Sequence, residues 1–185
     1  MDKAVFLDRD GTINEEVNYL HKIEDFRFIP NTIKALQKLS KTNYKIIIIS
    51  NQPVIGIGTI TENNYLKLQE KILEKFKKNN IRIDATYYCP HHPKRGIGKY
   101  LKDCEFRKPK PGMLLKAAND LEINLQKSFM IGDKRSDIKA GSGVGCRTIL
   151  VKTGYGGKGG DTDFDVKPNY VAKDLYEAIN LILKQ

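Results

Sequence analysis

Two aspartates stand two residues apart near the start of the chain, Asp8 and Asp10 in DRDGT, directly after the apolar run Ala4 to Leu7. An apolar run broken by a turn-like segment reads as a buried strand ending in a functional loop, and the two-residue spacing turns both carboxylates toward one site. Such a pair suits phosphoryl transfer. A carboxylate needs no base to act as a nucleophile near neutral pH, so Asp8 can attack phosphorus directly, while its repulsion with the phosphate calls for a cation between them. Magnesium is the natural ion for an all-oxygen site, and Asp133, in Gly132-Asp133 after Phe129 to Ile131, completes the carboxylate set. Asp10 can give a proton to the leaving oxygen and later take one from the attacking water. Ser50 can donate a hydrogen bond to the transferring group, and Lys108 can balance its charge. A lone aspartate is more often a cap or a turn residue; the ordered set is what points to chemistry.

The elements that must position these residues alternate. Pro30 and Asn31 open a helix with Ile33, Leu36 and Leu39 on one face, and Ile46 to Ile49 form a second buried strand. Thr61 and Asn64 start a longer helix through Tyr65, Leu68, Ile72 and Phe76, after which Ile81 to Tyr88 reads as a third strand. The stretch 89–109 is irregular. Then follow a helix from Pro111 to Leu121, a strand at Phe129 to Ile131, a helix from about Ser136 to Ala140, a strand at Thr148 to Val151 and a helix from Tyr170 to Leu183. This alternation predicts an α/β fold, a three-layer α/β/α Rossmann-like parallel sheet, with Asp8, Ser50 and Asp133 on the rim where such sheets bind ligands.

At 185 residues the chain is long enough for one substantial core, and residues 1–185 are expected to form a single domain. The longest apolar run is strand-sized and the first residues lack a signal-like pattern, which excludes a membrane span and places the protein in the cytoplasm. A formal charge of +10 favours anionic partners, of which a small phosphorylated sugar fits the motifs best, and the protein is expected to be a monomer. Nucleic acid is disfavoured because lysines such as Lys34, Lys38, Lys67 and Lys71 read as solvated helix faces. Cys146 reads as a small buried residue. The glycine-rich segment Gly154 to Gly160 has no Ser or Thr after Lys158 and reads as a mobile surface loop rather than a phosphate cradle.

The ordered set DRDGT, SN, a Lys before Pro, and GDKRSD resembles the haloacid dehalogenase (HAD) superfamily, over nearly the whole chain. The resemblance implies Asp8 as nucleophile, Asp10 as acid/base and metal ligand through its backbone oxygen, Ser50 and Lys108 as phosphoryl-binding groups, and Asp133 as a magnesium ligand supported by Asp137. CPHHP at 89–93 and RKPKPGM at 107–113 are similar to the D-glycero-D-manno-heptose 1,7-bisphosphate phosphatases and their histidinol-phosphatase relatives. That branch implies hydrolysis of the 7-phosphate in the synthesis of nucleotide-activated heptose for surface glycans. It also implies a pocket lined by Glu16, Asn18, Tyr19, Ser50, Asn51, Gln52, Pro53, Arg107 and Lys108. No insertion is large enough for a separate cap domain, so 11–30 and 89–107 must cover the site.

The loop at 89–107 is a candidate zinc site in this family, which usually supplies Cys-x-His and a later Cys-x-Cys. Here Cys89, His91 and Cys104 remain, and Phe106 stands where the fourth sulfur would be. His92, Asp103, Glu105 or water can complete such a site, or Phe106 can replace the metal by packing. The segment after Gln52 also departs from the heptose pattern, reading PVIGIG without the later arginine. The preferred anomer stays open. Alternatives are a histidinol-phosphate phosphatase, a nucleic-acid 3′-phosphatase and, outside enzymes, a receiver-type signalling domain, which would lack the Asp10 acid/base.

Overall fold

The computed structural model describes residues 1–158 and 165–184, so Gly159 and Gly160 of the glycine-rich segment lie outside the described residues. The apolar runs at 4–7, 46–49 and 129–131 become strands buried on both faces, as the middle strands of a covered parallel sheet must be. β1 (Ala4–Leu7), β2 (Lys45–Asn51), β3 (Ala85–Cys89), β4 (Phe129–Gly132), β5 (Arg147–Val151) and β6 (Tyr170–Ala172) form a six-stranded sheet in the order β3-β2-β1-β4-β5-β6. Every adjacent pair is parallel. The helices are α1 (Thr32–Ser40), α2 (Pro53–Gly56), α3 (Glu62–Lys78), α4 (Gly112–Asp120), α5 (Arg135–Ser142) and α6 (Leu175–Leu183).

Alternation along the strands divides the core in two. Val5, Leu7, Ile46 and Ile48 pack with apolar residues of α1, α3 and α6, whereas Ala4, Phe6, Ile47 and Ile49 pack with those of α4 and α5. The α/β/α layering read from the sequence is therefore the architecture found. The chain adds β2 and β3 to one side of β1 and β4 to β6 to the other, so the switch point opens beyond the carboxyl ends of β1 and β4. Asp8 and Asp133 are the residues immediately after those two strands.

Three boundaries differ from expectation, each for a local reason. β3 begins at Ala85 rather than Ile81, because Ile81 N closes the helix exit onto Phe76 O (3.0 Å) and the Asp84 carboxylate takes the Ile46 amide (2.7 Å) that a strand carbonyl would otherwise accept. The last predicted helix is a short edge strand followed by a helix, divided at Asp174, whose side chain accepts the Glu177 amide (2.8 Å) as an N-cap. α2 was not foreseen; with only four residues it shows no periodicity, and its signal is Pro53 at the first helical position. No helix among the described residues is long and apolar enough to cross a membrane.

Candidate active site

The switch point brings the sequence-predicted residues together around Lys108. Asp8 is tied to the neighbouring strand by its amide, which donates to Ile131 O (2.9 Å). Its Oδ1 accepts from Lys108 Nζ at 2.7 Å; the same ammonium donates to Ile49 O (2.9 Å) and stands 2.7 Å from Asp137 Oδ1. Lys108 is almost fully buried, which alone would lower its pKa, but Asp137 and Asp8 outweigh the burial and raise it, so the ammonium stays charged. Asn51, at the end of β2, grips the Lys108 backbone in both directions: Nδ2 donates to Lys108 O and Oδ1 accepts from Lys108 N, each at 3.0 Å. Asn51 therefore lines the cleft and also fixes the lysine.

Below the lysine lies a carboxylate cluster. Ligand atoms of Asp8, Asp133 and Asp137 lie within 4.8 Å of one another, all buried. Burial, then the charge of Asp8, push the Asp133 carboxyl up to about 8 against the opposing pull of Lys134. Asp133 Oδ2 accepts from Tyr155 N (2.8 Å), while its Oδ1 is buried without a hydrogen-bond partner. Crowded like charges with an orphaned oxygen are what a hard divalent cation satisfies, so the donor set fits magnesium. Asp137, expected only to support the site, belongs to this cluster; the side chain of Asp10 stands outside it.

Asp10 has its own cage. Its carboxylate accepts from Arg9 Nε (3.1 Å) and Nη2 (2.7 and 3.0 Å), from Asn14 Nδ2 (2.9 Å) and from Gln52 Nε2 (2.8 Å). Burial would raise its pKa, yet the Arg9 charge and these bonds carry it below the usual carboxylate range. Gln52 Nε2 also reaches Ser50 Oγ (2.8 Å), linking the expected acid/base to the expected phosphoryl-binding hydroxyl. Arg9 is fully buried, and a guanidinium taken out of water costs several kcal/mol unless it is paired. Asp10 supplies the pairing, so the two residues of DRD stabilise each other.

One cleft, about 810 Å³ counting its open mouth, is lined by Asp8, Asp10, Glu16, Asn18, Tyr19, Ser50, Asn51, Gln52, Pro53, Arg107 and Lys108, every residue the sequence proposed for catalysis or substrate contact. Asn18 and Tyr19 hold left-handed backbone (φ 48° and 74°), with Asn18 N donating to Glu16 Oε1 at 3.0 Å. Such a turn aims the Tyr19 ring and the Glu16 carboxyl inward at a conformational cost typical of functional loops. Arg95, Lys134, Ser136 and Tyr155 also line the cleft and were not singled out from the sequence.

A family model described as HAD-hydrolase-like matches residues 105–178. A D-glycero-beta-D-manno-heptose-1,7-bisphosphate 7-phosphatase from Pasteurella multocida is 43% identical over 183 residues, 98% of this chain and 97% of that protein. The chain belongs to this family of HAD phosphatases. A D-glycero-alpha-D-manno-heptose-1,7-bisphosphate 7-phosphatase from Photorhabdus laumondii is 44% identical over 154 residues, 83% of this chain and 84% of that one. The crystal structure of D,D-heptose 1,7-bisphosphate phosphatase from B. bronchiseptica, complexed with magnesium and phosphate, shares the fold (TM-score 0.84, 24% identity, 98% of each chain). As a HAD phosphatase the protein is a phosphoric monoester hydrolase.

The remaining cluster of this phosphatase is Cys89, His91 and Cys104, whose ligand atoms also lie within 4.8 Å of one another. Burial, and after it the neighbouring Cys104, leave the Cys89 thiol pushed up to about 12 against the opposing backbone hydrogen bond of His91. The protein fourth ligands weighed from the sequence are engaged elsewhere. His92 Nδ1 accepts the amides of Lys94 and Arg95 (3.1 and 3.0 Å), while Asp103 and Glu105 both pair with Lys110 (2.8 and 3.0 Å). The Phe106 ring, at the position of the usual fourth sulfur, is 36% exposed. The glycine-rich segment, expected to be a mobile surface loop, is held at the site in its described part, where Tyr155 N donates to Asp133 Oδ2 (2.8 Å). Gly157 N donates to Asp133 O (2.7 Å) and Thr153 Oγ1 to Gly11 O (2.7 Å), so its first half is tied to the carboxylate cluster rather than being a detached surface loop.

Proposed function

We propose that this phosphatase removes the 7-phosphate of D-glycero-D-manno-heptose 1,7-bisphosphate in a magnesium-dependent reaction, with Asp8 as nucleophile, as a step toward nucleotide-activated heptose. The observation that carries the reading is the buried triplet Asp8–Lys108–Asp137, with both ion-pair distances at 2.7 Å, set on a carboxylate cluster at the switch point. The substrate follows from relatives that are 43% and 44% identical and carry that substrate in their names. Because those two names differ in the anomer, the reading stops at the bisphosphate.

Asp8, Asp133 and the backbone oxygen of Asp10 would hold magnesium. Once bound, the ion offsets charge between the phosphate and the carboxylates and orients the phosphoryl oxygens. A carboxylate oxygen of Asp8 attacks phosphorus, and the bond to the sugar oxygen breaks. Lys108 and Ser50 hold the transferring oxygens, and the sugar oxygen takes a proton from Asp10. Asp10 then accepts a proton from water as that water attacks the phosphoryl group on Asp8, which frees inorganic phosphate, restores the Asp8 carboxylate and leaves the proton on Asp10. Asp10 rests as a carboxylate, so it is ready for the second step and must gain a proton, with its hold on Arg9 loosened, before the first. Zinc held by Cys89, His91 and Cys104, with water as fourth ligand, would brace the loop that carries Arg107.

A phosphate-release assay with magnesium tests the reading, using heptose 1,7-bisphosphate in both anomers, histidinol phosphate and a 3′-phosphorylated oligonucleotide. One heptose anomer is expected to be turned over fastest. Asp8→Asn should abolish release with the fold intact by circular dichroism, and Asp10→Asn should slow it by roughly 10²- to 10⁴-fold. Unchanged turnover in the Asp8 variant overturns the mechanism; faster turnover of histidinol phosphate or oligonucleotide overturns the substrate.

A further inference from the structure

A substrate with a phosphate at each end delivers one to Asp8 and Lys108 and leaves the other to be held elsewhere in the cleft. The lip formed by α2 offers no charge for it, since Pro53–Gly56 is PVIG with Val54 and Ile55 turned inward. The loop after β3 docks on that helix backbone to backbone. Ile97 N donates to Gly56 O (2.8 Å), and a Cβ at Gly56 would come within 2.3 Å of Pro90 O. Within the docked loop Gly96 N donates to His92 O (3.2 Å), and His92 Nδ1 accepts the amides of Lys94 and Arg95. This tight turn presents Arg95 to the cleft.

Arg95 Nη2 reaches across to the Tyr19 hydroxyl (2.7 Å), joining the two loops that cover the site. Its Nε lies 3.2 Å from His92 Nε2. With Nδ1 already accepting two amide hydrogens, a neutral imidazole carries its proton on Nε2, so that approach sets donor against donor and holds the guanidinium weakly. Two other cations of the cleft face acids: Lys108 faces Asp8 and Asp137, and Lys134 stands 3.6 Å from Glu16, while Arg107 donates to the His91 carbonyl (3.2 Å). Among the described residues Arg95 has no carboxylate within ion-pair distance, although it lines the same cleft.

We propose that Arg95 is the specificity residue for the distal phosphate, the one remote from Asp8, so that the 89–107 loop supplies the charge α2 lacks. The planar guanidinium can bind two phosphate oxygens at once while Tyr19 steadies its far edge. The inference rests on the bisphosphate reading above.

The test compares heptose 1,7-bisphosphate with heptose 7-phosphate, which lacks the distal group, in the wild-type enzyme, Arg95→Gln and Arg95→Lys. Arg95→Gln should lower kcat/KM for the bisphosphate by roughly 10- to 100-fold, the range for losing a charge-assisted contact, mainly through KM. The monophosphate should be unaffected, and Arg95→Lys should recover part of the loss. Equal losses on both substrates, or none, overturn the proposal. A binding arm separates it from the catalytic reading: calorimetry on Asp8→Asn with and without Arg95→Gln should show the preference for bisphosphate over monophosphate shrinking by the same factor. A parent protein without that preference also overturns the proposal, whereas absent phosphate release with the preference intact counts against the reaction alone.

Discussion

Asp133 is the residue whose environment demands most. Its carboxyl is pushed from an ordinary 3.8 up to about 8, by burial first and by Asp8 second. Between those values the folded, metal-free protein keeps a proton that the unfolded chain has lost, so this group's contribution to stability falls as pH rises from about 4 to about 8. A divalent cation must displace that proton. Magnesium binding is therefore expected to release about one proton at pH 7 and to weaken by about tenfold for each unit of pH below 8. Calorimetry in buffers of different ionisation enthalpy at pH 6.5 and pH 9 checks this; equal affinity and no proton release at both would contradict it. The acids themselves were legible in the sequence because each follows an apolar run or sits in a recognisable motif. Arg9 and Asn14 were not, since an arginine between two aspartates reads as exposed charge, and only the fold shows it fully buried against Asp10. Arg95 escaped notice for the opposite reason: its position depends on a loop docking against α2, which leaves no periodic trace.

Strand ends place the site, but loops wall it. A Cβ at Gly11 would meet Asp133 Oδ2 at 2.3 Å, and a Cβ at Gly154 would meet the same oxygen at 2.3 Å and Gly11 Cα at 2.6 Å. Both glycines hold positive φ, +85° and +54°, so the loops after β1 and β5 close on the carboxylate with no room for a side chain. Gly154→Ala should therefore displace Asp133 and combine left-handed strain with a clash, costing roughly 1–3 kcal/mol of stability. The magnesium concentration for half-maximal activity should rise as well, while Gly98→Ala, with φ +55° but nothing within 4 Å of its Cβ, should cost stability alone. Thermal melts and magnesium titrations of the two variants distinguish the effects; an unchanged magnesium requirement in Gly154→Ala would show that the loop does not position Asp133. β1, β2, β4 and β5 were legible because three or four consecutive apolar residues bounded by turn signals leave little choice of environment. β6 and α2 were not, at three and four residues, because elements that short are set by what they pack against. The glycine-rich segment misled for a related reason: its composition suggests mobility, whereas Thr153, Tyr155 and Gly157 spend their hydrogen bonds on the β1 and β4 loops.

Across the whole molecule the charge of +10 does not sit in the cleft. The cleft balances four acids, Asp8, Asp10, Glu16 and Asp137, against four cations, Arg95, Arg107, Lys108 and Lys134. The excess lies on helix faces such as α3, where exposed Lys67, Lys71, Lys77 and Lys78 are interleaved with exposed Glu70 and Glu74. Interleaved signs give a diffuse field rather than the basic stripe that tracks a nucleic-acid backbone. A diffuse positive field still draws a small phosphorylated substrate, and salt screens it beyond about 10 Å at 0.1 M. Raising ionic strength from 20 to 500 mM should accordingly lower kcat/KM for heptose bisphosphate by no more than about tenfold and leave kcat unchanged, because contacts at Asp8 and Lys108 are buried from the ions that screen the surface. Oligonucleotide binding, measured by fluorescence anisotropy over the same range, should stay weak. Tight binding whose logarithm falls steeply and linearly with the logarithm of salt would instead mean that many lysines engage phosphates together, and would move the substrate from a sugar to a nucleic-acid end. A fall in kcat with salt would place the decisive charge inside the cleft, and the balance of acids and cations there would then have to be broken by the bound cation.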